Sequence, residues 1–171
     1  HNLQLVTKVG GASVNAVSAI TVTLTVTPDA VNGISADASD ITFPNGTTLT
    51  WNADGTATLT VEIAAGSNGS DVDFKAVDDY LAEVAEGYTL SIDSVQGDGG
   101  FEVLEVDTTK DSVKGTITDE GDPDDNDTIL LQLVNDDTAA EGDTLDHNLQ
   151  LVTKVGGASV NAVSAITVTL T

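Results

Sequence analysis

The sequence predicts an all-β protein, an antiparallel β-sandwich repeated in tandem. Three observations carry this. Short apolar runs alternate with a period of two, as half-buried strands do. Clusters of Gly, Asn, Asp and Ser separate these runs at spacings that suit an antiparallel sandwich. Residues 1–25 (HNLQLVTKVGGASVNAVSAITVTLT) also recur without a substitution at residues 147–171.

The clearest strand is residues 16–27. It sets Ile20, Val22, Leu24 and Val26 on one face and Thr21, Thr23, Thr25 and Thr27 on the other. Residues 56–63 repeat the pattern with Leu59, Val61 and Ile63, after the turn signal Asn52-Ala-Asp-Gly55. Further strands are expected at 3–9, 40–43, 48–51, 71–77, 88–92, 101–106, 113–118 and 129–134. Only 79–86 has room for a helical turn, and no stretch supplies the crossover helices of a parallel sheet.

The repeat sets the domain frame. Its two copies start 146 positions apart, too long for a solenoid unit and about the size of a whole domain. The expected organisation is a sandwich over 1–118 that lacks its first strand, an acidic linker over 119–127, and the opening strands of the next identical repeat over 128–171. In that frame 129–134 is the first strand of a repeat and 113–118 the last. A 128–146 segment, from this molecule or an equivalent one, is expected to cover the edge beside residues 3–9.

Composition narrows the function. There are 28 Asp and Glu against 5 Lys and no Arg, for a net charge of -23, and every acid falls within residues 29–146. Such a chain lacks the basic patches that nucleic acid or an anionic membrane surface requires. At 40% hydrophobic residues it is too apolar for a disordered acidic tail. Dense like charge opposes folding unless divalent cations neutralise it or a saline medium solvates it. There is no cysteine, and no apolar run approaches the roughly 20 residues of a membrane span.

Carboxylates are where chemistry can occur. Calcium takes six to eight oxygens, mostly from carboxylates and carbonyls, in a forgiving geometry. The densest cluster is the linker, with Asp119, Glu120, Asp122, Asp124, Asp125 and Asp127; a rigid Pro123 and little Gly or Ser make it stiff. A second cluster is Asp78, Asp79, Glu83 and Glu86, ahead of the strand at 88–92. The alternative for both is solvated acidic loops. No nucleophile elbow, phosphate loop or cysteine is present, so no enzyme is expected. One Trp and two Tyr make a poor sugar platform, and Trp51 reads as a packed or edge-strand residue. His1 and His147 read as surface residues, and Asn45-Gly-Thr47 and Asn68-Gly-Ser70 first of all as turns.

Residues 58–92 (TLTVEIAAGSNGSDVDFKAVDDYLAEVAEGYTLSI) resemble the Calx-β family: a strand, a loop, a second strand ending in Asp78-Asp79, acids four and seven residues later at Glu83 and Glu86, and a TxxL-type strand. Asp40 stands where that family places an aspartate ahead of an aromatic, although Ile41 follows it here. Asp119 resembles the acid after the closing strand, and Glu141-Gly142 the Glu-Gly after the first strand. Residues 99–104 (GGFEVL), 117–119 (ITD) and 127–133 (DTILLQL) are more closely similar to junctions of the immunoglobulin-like extender repeats of giant RTX adhesins of Gram-negative bacteria. Residues 124–127 (DDND) also resemble cadherin linkers. At 146 residues the repeat is long for an extender, with the surplus around 26–50.

The resemblance implies an immunoglobulin-like β-sandwich that binds Ca²⁺ and is secreted to the bacterial cell surface, where it serves biofilm-type adhesion by projecting an adhesive tip. Its metal ligands would come from Asp40, Asp78, Asp79, Glu83, Glu86, Asp119, Asp122, Asp124, Asp127 and Glu141. Its partners would be neighbouring identical repeats, with no nucleic acid, membrane insertion or small-molecule substrate. The alternative is a ligand- or carbohydrate-binding adhesive module of the same surface protein.

Overall fold

A computed structural model describes residues 1–29, 36, 40–43 and 49–170. Among them every regular element is a strand. In chain order these are β1 (Asn2–Gln4), β2 (Ile20–Pro28), β3 (Ile41–Thr42), β4 (Thr50–Trp51), β5 (Ala57–Ile63), β6 (Gly69–Asp71), β7 (Lys75–Ala76), β8 (Glu86–Gln96), β9 (Ser112–Ile117), β10 (Ile129–Val134) and β11 (Asn148–Thr153). All pairings are antiparallel. The chain divides into two compact units, one of His1–Asp78 with Glu83–Asp119, the other of Asp79–Ala82 with Glu120–Thr171.

In the first unit β2 is the central strand. Its alternation is realised residue for residue: Ile20, Val22, Leu24 and Val26 are buried, and the threonines between them are half-buried. β5 and β8 flank it in a five-stranded sheet ordered β4-β5-β2-β8-β9. Apolar residues meet across the β2–β5 register as Ile20↔Ile63, Val22↔Val61 and Leu24↔Leu59. Facing pairs like these are the stabilising unit of a sheet. The β2–β8 register slips between Thr23 and Leu24, a bulge that lets the long β8 follow the twist. Two short sheets, β1-β6 and β3-β7, complete a β-sandwich-like unit. Leu5, Ile41 and Val72 from these shorter segments share one core with Leu24, Leu59, Tyr88 and Leu90.

Several elements differ from the sequence expectation, each for a local reason. The run 71–77 is two strands, because the chain leaves β1 after Asp71 and joins β3 at Lys75. Residues 101–106 form no strand. Gly99 and Gly100 at φ 65 and 79 bend the chain there, and Gly99 O accepts from Val17 N and Ser18 N. The run 16–27 begins pairing only at Ile20, since Ala16 is held by backbone bonds to Gly66 and Ser67. β1 is shorter than 3–9 because the chain turns at 7–12 around Gly10 and Gly11, both at positive φ, where a side chain is strained. β8 extends beyond 88–92, with β2 and β9 pairing along its two edges. No helical turn forms at 79–86. Trp51 is an edge-strand residue in β4, partly buried against the core. Much of the surplus expected around 26–50, with Thr48 and the Asn45-Gly-Thr47 turn, lies outside the described residues.

The second unit holds one strand pair. β10, which falls on the expected 129–134, meets β11 from Ile129↔Thr153 to Val134↔Asn148. After β11 the turn at 153–158 matches the one at 7–12, and residues 160–170 form no strand.

Candidate metal site

Three acids of the first unit converge. Asp40, Glu83 and Glu86 each offer a carboxylate oxygen, and these oxygens lie within 4.8 Å of one another. The fold explains the meeting. Glu86 is the first residue of β8, set opposite Ile117 of β9, and is only 8% exposed. Glu83 precedes it by three residues. Asp40 arrives from the far side of the sequence: it leads into β3, which pairs with β7, and its carbonyl accepts from Val77 N at 2.9 Å.

Aromatic packing stiffens the neighbouring surface. Phe74 meets Phe43, Tyr88 and His1 edge-on, with ring centroids 5.7, 5.3 and 6.1 Å apart. The Tyr88 hydroxyl hydrogen-bonds His1 Nε2 at 3.0 Å, and burial pushes its phenol pKa up. Gly115 lies under the Tyr88 ring, where a Cβ would come within 2.1 Å of the ring's Cζ. Both histidines are exposed, as expected of surface residues; His1 is also tied into this cluster, and His147 Nδ1 bonds Asn135 O at 2.8 Å.

The grouping differs from the sequence expectation in one respect. Glu83 and Glu86 are joined by Asp40, not by the neighbouring Asp78 and Asp79. Asp79 is used in a local turn, its Oδ1 accepting from Leu81 N at 2.7 Å, and Asp78 is exposed.

In the second unit the linker acids largely bond their own loop. Asp127 Oδ2 accepts from Asp124 N, Asp124 Oδ1 accepts from Asn126 N at 2.6 Å, and Thr128 Oγ1 donates to Asp124 O at 2.7 Å. Asp127 Oδ1 is enclosed without a hydrogen-bond partner. Asp125 pairs with Lys154 at 2.5 Å. Asp122 and, between β10 and β11, Glu141 are exposed; Asp119, which closes the first unit, is exposed too.

Other acids have local structural uses. Asp54 and Asp107 each accept from the backbone and hydroxyl of the threonine two residues on, which holds both carboxyls below their usual pKa. The Asp-x-Thr spacing is a readable turn signal. Compared with protein-family models, with curated proteins and with solved structures, the chain gives no match.

Proposed function

We propose that this chain is a structural repeat: an immunoglobulin-like sandwich in a tandem array, stiffened by calcium, that works as an extender in a large secreted adhesin of the RTX type and spaces an adhesive region from the bacterial surface. The observation that carries the reading is the unsubstituted recurrence of residues 1–25 at 147–171. Identical tandem copies suit length and stiffness better than a set of distinct binding sites. Enzymatic chemistry has no support in the residues. The aromatics Phe43, Phe74 and Tyr88 are engaged with one another, which favours a spacer over a carbohydrate-binding module.

Asp40, Glu83 and Glu86 fit a calcium ion by donor type. They are hard oxygen ligands with no nitrogen or sulfur among them, and together they supply up to six oxygens of the six to eight that calcium takes. Like charges this close repel, and a bound divalent cation replaces repulsion with coordination. Held this way, the start of β8 would be tied to the lead-in of β3. The linker acids Asp122, Asp124 and Asp127 offer a further oxygen-rich loop.

Thermal melting of the full chain, with millimolar calcium or with chelator and followed by Trp51 fluorescence, tests the reading. Extracellular modules of this kind bind with a Kd of about 10⁻⁴–10⁻³ M. Calcium at about ten times Kd stabilises by about 1.4 kcal/mol, so the midpoint should rise by several degrees. Glu86→Gln should remove most of that rise. An unchanged midpoint in the wild type would sink the calcium reading and leave a solvated acidic surface.

A further inference from the structure

Asn68-Gly69 reads in the sequence as a turn, and the fold gives it a more particular place. Asn68 is exposed at a bend, and Gly69 opens β6. Around them three segments of the first unit are fastened together. Leu5 N donates to Asn68 O at 2.7 Å, Ala16 N to Ser67 O at 2.8 Å, and Gly66 N to Ala16 O at 2.7 Å. The Asn68 carboxamide adds a side-chain tie, its Nδ2 donating to Ser13 Oγ at 2.6 Å. This joint holds β1, and the residues that return from the turn at 7–12, against β6.

Glycine is required at position 69. A Cβ there would come within 2.0 Å of Leu3 O, a backbone atom. The Gly69 nitrogen is also unengaged. Val72 N donates to His1 O and Leu5 N to Asn68 O, so Asn68, Ser70 and Val72 are the residues that bond across to β1. Alternate residues of an antiparallel strand turn their groups to opposite sides, so the Gly69 N–H points away from β1. Among the described residues β6 pairs with β1 alone.

An exposed carboxamide followed by an unbonded glycine nitrogen can react with itself. The Gly69 nitrogen, once deprotonated, attacks Asn68 Cγ. The Cγ–Nδ2 bond breaks, ammonia leaves, and a cyclic succinimide remains. Water then opens the ring. Cleavage of the bond from Cγ to the Gly69 nitrogen gives aspartate, and cleavage of the bond from the main-chain carbonyl carbon gives isoaspartate. One water enters and one ammonia departs, with no oxidant, reductant or cofactor.

We propose that Asn68 is a self-modification site, which deamidates through a succinimide with Gly69 in the folded protein, and that its isoaspartyl product releases β1 from β6. The inference stands apart from the spacer and calcium readings above. The two products act differently. Aspartate keeps the backbone, and the Ser13 hydroxyl can donate to the new carboxylate. Isoaspartate routes the main chain through Cγ, which adds a methylene between positions 68 and 69. The carbonyl that accepts from Leu5 N then leaves the main chain, and the Leu3↔Ser70 and Gln4↔Gly69 register cannot continue to it. Leu5 is a core residue, so the slip reaches the core. The fold also bars the protective replacement, since a side chain at position 69 would strike β1.

Ageing the folded full chain in neutral and in mildly alkaline buffer, followed by peptide mapping with mass spectrometry, tests this. Asn68 should convert to a mixture of isoaspartate and aspartate, faster at the higher pH because the Gly69 nitrogen reacts deprotonated. Asn52 and Asn126 are also exposed but precede Ala53 and Asp127, and they serve as references. Glycine alone leaves its nitrogen this open to close approach, so Asn68 should exceed their rate by about tenfold or more. In heavy-oxygen water the product should carry one heavy oxygen. Amide hydrogen exchange reads the consequence. At Leu5 it should quicken by about tenfold in the chromatographically resolved isoaspartyl form, as expected of a local opening. Asn68→Asp, which carries the new charge on an unaltered backbone, should leave it unchanged.

Conversion at Asn68 no faster than at Asn52 and Asn126, or conversion seen only when urea unfolds the chain, overturns the proposal. So does an isoaspartyl form whose Leu5 amide exchanges like that of the unmodified chain, or an Asn68→Asp variant that loosens β1 by itself.

Discussion

Ile20 and Ile166 occupy one position in a 25-residue sequence that occurs twice, and the first is 1% exposed while the second is 57% exposed. Around Ile20 the chain is a nine-residue strand with β5 on one side and β8 on the other. Around Ile166 it has no regular structure and, among the described residues, no partner strand. The turn that precedes them behaves in the opposite way. Thr7 N donates to Ala12 O at 2.8 Å, and Thr153 N to Ala158 O at 2.9 Å. Gly10 and Gly11 have φ of 86 and 62, while Gly156 and Gly157 have 84 and 64. The threonine hydroxyl reaches the valine carbonyl two residues on in both copies. A turn closed by its own side chain and two glycines needs only local sequence. A threonine-rich strand needs neighbours, because its stabilisation lies in cross-strand packing and not in the backbone itself.

Substitutions at matched positions can sharpen or break this contrast. The largest difference is expected at Leu24 and Leu170. Leu24 is buried at the centre of β2, so Leu24→Ala should cost about 3–4 kcal/mol through lost burial and a residual cavity. Leu170 is exposed, so Leu170→Ala should change stability by less than about 0.5 kcal/mol. Urea denaturation followed by Trp51 fluorescence reads both. Equal effects at the two positions would show that the second copy is packed in solution.

The turn should give the opposite result, a modest loss of equal size in both copies. Gly11→Ala and Gly157→Ala each force a Cβ into left-handed backbone, at a cost of about 1 kcal/mol. Nothing lies within 4 Å of either added atom, so packing contributes no difference. Amide hydrogen exchange at Thr7 and Thr153 should accelerate by similar factors. A response confined to the first copy would mean that the turn borrows its stability from the sandwich.

The smallest effect is electrostatic. Lys8 pairs with Glu105 at 2.8 Å, and its counterpart Lys154 pairs with Asp125 at 2.5 Å, both on the surface. The hydrogen bond and charge of Lys8 hold the Glu105 carboxyl below its ordinary 4.5. A depressed folded-state value means that its contribution is present above about pH 4.5 and fades as the pH falls through the lowered value. Lys8 itself is raised above 10.5, so its share persists at neutral pH and is lost only as the pH rises through that raised value. Exposed pairs contribute little. Lys8→Met should therefore lower stability slightly from about pH 4.5 through the neutral range and leave the most acidic points unchanged, as measured by urea midpoints across pH.

Some of the fold was legible from its pattern of apolar residues, given neighbours to pair with. The alternation of Ile20, Val22, Leu24 and Val26 is realised as a half-buried strand where β5 and β8 flank it, and residues 129–134 emerged with the expected limits. Residues 71–77 were not legible as two strands. Nothing within them signals that Asp71 faces β1 while Lys75 faces β3. At the candidate site, the spacing of Glu83 and Glu86 and the place of Asp40 each drew notice, but the first two were grouped with Asp78 and Asp79. Proximity in sequence is a poor guide when strand pairing carries Asp40 across more than forty positions to meet them.

The sequence alone determined the repeat, the all-β class, the acidity, and turns such as 52–55, since each depends on composition or on contacts within a few residues. Tertiary structure decided which acids meet, which half of the 71–77 run belongs to which sheet, and whether residues 20–28 form a strand at all. The physical reason is that a strand's hydrogen bonds and buried faces belong to its neighbours. Copies with identical side chains therefore fold as far as the neighbours each of them has.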